Sequence, residues 1–226
     1  MKKLLLLFMA GTFAIGNVNS QVKRTPTKRT TNSITAKKKA EAKTKAKAEA
    51  EAAEKARIEN NSKCSFSFYS GNFVSQQGNG DFVTYEIPEM TASELKSSVY
   101  TTLTSIFKSP KDAITSITDN MIQLEGYSPN LFKEYLGDDY GTVSNHIIFS
   151  LVIQFKDGKV RYNAPSIKNI HMKVDNSDIE SIPNVNGINL RSYFTTDVDG
   201  KLESIEMYFN NLISLINNKL KKSNDW

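Results

Sequence analysis

The chain has 226 residues, with 29 Lys and Arg against 24 Asp and Glu, and one cysteine. The basic excess is local: residues 1–60 hold 14 of the cations and 5 of the acids, leaving 15 cations against 19 acids in residues 61–226. A mildly acidic folded part lacks the cationic footprint of a nucleic-acid binder, and a lone cysteine leaves stability to an apolar core, which a region of this length can build.

Residues 1–20 read as a signal peptide. Lys2-Lys3 form the basic start, Leu4–Ile15 the apolar run, and Val18-Asn19-Ser20 a small-residue cleavage site before Gln21. The run is short of the roughly 20 residues a bilayer span needs. No cysteine marks a lipid anchor, so the mature chain is expected to be exported, periplasmic or secreted, with no transmembrane span.

Residues 21–60 read as a basic linker. Gln21–Thr35 is polar with Pro26 and is expected to be disordered. Ala36–Arg57, AKKKAEAKTKAKAEAEAAEKAR, has strong helical propensity and Glu–Lys spacings that support a helix. It lacks the apolar heptads of a coiled coil. Its two readings are a solvated tail and a cationic tether to an anionic surface.

The folded domain is expected over residues 61–226. Cys64 lies in SKCSFSFYS, an alternation that suits a short strand, where a half-buried small hydrophobe outweighs a reactive thiol. Asp81–Ile87 reads as a strand ended by Pro88. Thr91 to Glu94 forms a capping box for a helix whose Leu95, Val99, Leu103, Ile106 and Phe107 recur on one face. Ser109-Pro110 stops that helix. Ala113–Thr118 and Met121–Glu125 read as strands about an Asp119-Asn120 turn. The connection Ser128–Ser144 is expected to hold one helical turn at Leu131–Leu136.

Asn145–Ile170 reads as a long hairpin, because Asp157-Gly158 suits a two-residue turn. Lys156 then faces Lys159. Ile147, Phe149, Leu151, Ile153 and Phe155 share one face with Val160, Tyr162, Ala164 and Ile170. His146, Ile148, Ser150, Val152 and Gln154 share the other with Arg161, Asn163, Ile167, Asn169 and His171. One apolar face beside a mixed one marks an antiparallel sheet covered on one side. Lys173–Asp199 is polar and loop-like, with a brief ordered piece at Ile188–Phe194. Lys201–Lys222 is a second helix, apolar along Leu202, Ile205, Phe209, Leu212, Ile213, Ile216 and Leu220. The expected fold is α+β and two-layered: a mostly antiparallel five-stranded sheet with two helices on one face.

The segments Tyr85–Leu95, Ser109-Pro110-Lys111, Gly126-Tyr127-Ser128 and Phe155–Tyr162 together resemble an exported bacterial family of unknown function with a TATA-binding-protein-like (TBP-like) fold. The resemblance covers residues 81–172 well and the last helix loosely. It implies the order strand, helix, four strands, helix. Its motifs are a cap, a helix stop and a hairpin turn, so it implies no catalytic residue.

Three candidate sites follow from the residues. In the hairpin register His146 faces Asn169, which puts His171 one diagonal step away, within about 7–8 Å. Two histidines fall short of a metal site, Pro165 is placed to disturb the register, and two exposed strand-end histidines are the plainer reading. Thr195–Glu206 carries Asp197, Asp199, Gly200, Leu202 and Glu206 at calcium-loop positions, but Thr195 replaces the first ligand, and acids ahead of a helix also serve as caps. No metal or cofactor is therefore expected. No nucleophile elbow, zinc-helix pattern or phosphate loop is present. The leading expectation is a non-enzymatic envelope module binding a protein, peptide or small ligand on the open sheet face through Ile148, Val152, Arg161, Asn163 and Ile167. The alternative is an enzyme with a pocket under the loop 128–144.

Overall fold

The computed structural model describes residues 31–69, 72–135, 141–174 and 200–222. The expected signal peptide, the piece at Ile188–Phe194 and positions 195–199 of the calcium-like pattern lie outside these residues. No helix among the described residues is long and apolar enough to cross a membrane. The chain divides into two compact units between Glu49 and Ala50.

Helix α1 (Thr31–Ser62) runs through that division. It begins inside the segment expected to be disordered, because extending a helix from a strong Ala/Lys/Glu nucleus is cheap. Between residues 39 and 56 every side chain is exposed, as a helix that is polar all round should be. The second unit starts at Ala50, earlier than the boundary at residue 61 read from composition. Its α1 residues are tied down: Asn61 donates Nδ2 to the Glu86 carbonyl and accepts the Glu86 N–H at Oδ1, at 2.9 and 2.8 Å.

In this unit β1 (Phe66–Tyr69) and β2 (Asn72–Ser75) form a separate hairpin. Next come β3 (Phe82–Glu86), α2 (Ala92–Ile106), the short α3 (Pro110–Ala113), β4 (Ile114–Thr118) and β5 (Met121–Tyr127). β6 (Phe132–Tyr135), β7 (Thr142–Lys156), β8 (Lys159–Asn163), β9 (Ser166–Val174) and α4 (Lys201–Lys222) complete it. The main sheet has seven strands in the order β3-β8-β7-β5-β4, with β6 and β9 also paired to β7. They occupy five columns, since β9 continues the column of β8 and β6 that of β5 along the 15-residue β7. The expected five strands are thus five columns, two of them broken.

Each break has a local cause. Pro165 has no N–H to give a ladder, so β8 ends at Asn163. β9 re-enters with Phe149 opposite Ile167, then shifts so that Ile148 faces Asn169 and His146 faces His171. Lys168 is the extra, exposed residue of this bulge. The turn expected at Leu131–Leu136 is instead strand β6, with Phe132 opposite Asn145 and Tyr135 opposite Thr142. The helix-like spacing of Leu131, Phe132 and Tyr135 loses to pairing with the overhanging start of β7.

The core lies on one face. Ile147, Phe149, Leu151 and Ile153 of β7 are essentially fully buried, as are Val160 and Tyr162 of β8. Leu95, Val99 and Leu103 of α2 and Ile205, Phe209, Ile213 and Ile216 of α4 close over them. Each such side chain contributes roughly 1.5–3 kcal/mol by leaving water. α2 is placed from both ends of sequence. Thr91 and Glu94 form the capping box, and Asp157 of the β7–β8 turn accepts the Ala92 N–H at 2.8 Å. Gly158 takes a positive φ of 73° at that turn, where Lys156 pairs with Lys159.

α4 also carries a polar row facing inward. Asn210 bonds both the N–H and the carbonyl of Phe66, and Glu206 accepts the Phe68 N–H at 2.8 Å. Asn217 accepts the Tyr162 hydroxyl at 2.7 Å and points Nδ2 at Cys64 Sγ, 3.7 Å away. Burial pushes the Cys64 thiol up to about 12, which makes it a packed, neutral group.

Candidate functional site

Of the five residues expected on the open face, Ile148, Val152, Arg161 and Asn163 lie on the side of the sheet away from α2 and α4, all half-buried. Ile167 does not. Its pairing with Phe149 turns it to the helix side, where it packs against the core, because the register slips by one residue between Asn163 and Ser166; the bulge at Lys168 then restores the parity expected for the rest of β9. Arg161 and Asn163 are engaged with their own sheet: Arg161 Nε donates to Asn163 Oδ1 at 2.8 Å, and its guanidinium lies 3.8 Å from the centre of the Phe82 ring.

The histidines are closer than the unbroken hairpin register allows, since His146 faces His171 directly. Tyr127 gathers them. Its ring stacks on His146 at 5.0 Å and meets His171 edge-on at 5.9 Å. His146 Nδ1 lies 3.2 Å from the Ser128 carbonyl, an arrangement in which Nδ1–H donates. His171 Nε2 is buried and has no partner among the described residues. No group of three or more metal-binding side chains occurs among the described residues.

A cleft of about 730 Å³ opens beside this cluster. The end of α2 gives Ile106 and Phe107, α4 gives Tyr208, and the β5 corner gives Tyr127, Ser128 and Pro129. The Ser109-Pro110 stop creates the space, because α2 ends before it reaches the tip of β5 and α3 turns the chain back to β4. β4 pairs with β5 only as far as Leu124, so the last residues of β5 overhang into the cleft. Lys108, Asp112 and Glu125 also line it.

Burial raises the Tyr208 phenol to about 12 and raises Tyr127 as well, so both are neutral O–H groups at physiological pH. Ser128 is fully buried, and its hydroxyl accepts the Ile147 N–H at 2.8 Å. His146 reaches the Ser128 carbonyl and not its hydroxyl, so the pair is not a nucleophile with its base. This cleft adjoins the start of the 128–144 connection, where a pocket was expected. Tyr127 and Tyr208 are the residues that sequence reading missed. Tyr127 closes the Gly126-Tyr127-Ser128 corner, and a large aromatic at such a corner was the available signal.

Fold and site together define an α+β domain with helices on one sheet face and a ligand-sized cleft at the sheet's corner. No family model and no curated protein matches the sequence. Solved structures similar to it include a DUF4468 family protein from Bacteroides ovatus, 11% identical over 64% of this chain and 86% of that one, with a TM-score of 0.36. Another is a TBP-like protein from Parabacteroides distasonis, 14% identical over 61% of this chain and 91% of that one, with a TM-score of 0.29. No property of the site is taken from either.

Proposed function

We propose that this chain is an exported, non-enzymatic binding module of the cell envelope, whose ligand enters the cleft beside Tyr127 and reaches the open face at Ile148. The observation that carries the reading is the cleft itself: about 730 Å³, walled by Ile106, Phe107, Tyr127 and Tyr208 from three elements. That volume lies within the roughly 300–1,000 Å³ of small-ligand sites, which are mostly apolar with a few polar groups. The Ser128 hydroxyl is buried and engaged with the Ile147 N–H, which favours holding a ligand over transforming it. Export rests on the Lys2-Lys3, Leu4–Ile15 and Val18–Ser20 pattern.

Indole is a suitable neutral probe. Titrated into the ¹⁵N-labelled full chain, it should shift the amide resonances of Phe107, Ala113, Tyr127 and His146. Shifts confined to the Val152–Arg161 region would move the site to the middle of the open face. No shifts at all would remove the cleft as a binding site.

A further inference from the structure

The sheet treats its edges unequally. The outward edge of β3 is closed by side chains that imitate a neighbouring strand. Asn61 takes both main-chain groups of Glu86, and Gln77 takes both of Thr84, at 2.7 Å each. The outward groups of β1 are met from α4 by Asn210 and Glu206. At the other end of the sheet β4 is short, with a register shift between Ile114 and Ser116. Capping and bulging are the usual means of keeping a sheet edge from pairing with another chain.

The tip of β5 has neither device. Ser128 donates its N–H to the Ile147 carbonyl, and Gly126 faces Phe149 and Leu124 faces Leu151 in the same register. Even-numbered residues here therefore turn their main-chain groups toward β7, and odd-numbered ones turn outward. The pairing of β4 with β5 ends at Leu124, so the N–H and C=O of Tyr127 point into the cleft without a strand partner among the described residues. A donor and acceptor at strand spacing, beside an apolar cavity, complement an extended backbone with one large side chain. The charges on the cleft lining narrow the sequence: Asp112 and Glu125 stand against Lys108, and none of them has an ion-pair partner among the described residues. Two acids to one cation suit a basic neighbour on the ligand.

We propose that the ligand of this cleft is an extended peptide, added as a short strand to the tip of β5 at Tyr127, with a large apolar residue between Phe107 and Tyr208 and a nearby Lys or Arg facing Glu125 and Asp112. This rests on the cleft being the binding site and adds the ligand class.

The test selects a displayed library of random dodecapeptides on the full chain and measures the winners by fluorescence polarisation on wild type, Tyr127→Val and Tyr127→Pro. Valine and proline both remove the phenol ring, but only proline removes the outward N–H, and the β5–β7 ladder keeps its bonds in both. Selected peptides should carry an apolar residue next to a basic one, and Tyr127→Pro should bind them about tenfold more weakly than Tyr127→Val, the loss of one buried main-chain hydrogen bond. N-methylation along the peptide should weaken binding at alternate amides only. Equal affinity for the two variants, or an N-methyl scan without alternation, overturns strand addition. If no peptide is enriched while indole still shifts Phe107 and Tyr127, the peptide proposal falls and the cleft stands; if indole also fails, both fall.

Discussion

Gly126 marks the tightest packing in the sheet, and an alanine there tests how the core is built. A methyl group at Gly126 would lie 2.4 Å from Phe149 Cζ, 2.7 Å from Cε1 and 3.1 Å from Cε2. Ordinary carbon contacts begin near 3.5 Å, so the ring must retreat by about 1 Å. It has nowhere to go: Tyr208 and Phe209 meet it edge-to-face at 5.6 and 5.0 Å, and Phe149 is fully buried. Overpacking of this kind costs about 1–3 kcal/mol, offset by about 0.5–1 kcal/mol from replacing glycine within a strand. Gly126→Ala should therefore destabilise the full chain by about 1–2 kcal/mol in urea unfolding followed by far-UV circular dichroism. Phe149→Leu removes the ring atoms that meet the new methyl. In that background only the gain from replacing glycine remains, so the alanine should stabilise by about 0.5–1 kcal/mol, a coupling of about 1–3 kcal/mol between touching residues. An unchanged midpoint for Gly126→Ala alone, or the same loss in both backgrounds, would refute the packing described.

Three further outcomes follow from particular contacts. Replacing Asn61 and Gln77 together by alanine should cost about 1 kcal/mol for each clamp of β3 and bring concentration-dependent association in sedimentation; unaltered stability and sedimentation would count against edge capping. The Thr91 N–H and hydroxyl hold the Glu94 carboxyl below its usual range. Its folded value is lower than its unfolded one, so its contribution is complete above the unfolded value of about 4.3 and is lost as pH falls through the folded value. Wild type should thus lose Tm relative to Glu94→Gln on acidification, and parallel curves would contradict the cap. Cys64, buried and neutral, should resist Ellman's reagent in the native chain at pH 8 and titrate as one thiol in guanidinium; rapid native reaction would place it elsewhere.

Much of the fold was legible because its signals are local. The capping box at Thr91 and Glu94, the Ser109-Pro110 stop and the Asp157-Gly158 turn each act within a few residues. The alternation along β7 fixed which of its faces carries Phe149 and Leu151. What escaped depends on partners distant in sequence. The β1–β2 hairpin is held by Asn210 and Glu206 of α4, polar residues on an otherwise apolar helix whose role shows only when the partner is in place. The spacing in β6 fits both a helical turn and a strand, and the overhang of β7 decides between them. Two one-residue slips did the rest: the one at Ala164-Pro165 turned Ile167 to the core, and with the bulge at Lys168 it set His146 opposite His171. The cleft was anticipated only as a place beside the 128–144 connection, since its walls come from Phe107, Tyr127 and Tyr208 on three separate elements.

The reading rests on β5 ending in an unpaired edge, and amide hydrogen exchange on the free full chain measures that directly. The N–H of Tyr127 should exchange far faster than those of Gly126 and Ser128, which turn toward β7. Protection of Tyr127 equal to that of its two neighbours would mean that the edge is already occupied, and would contradict both the site and its ligand.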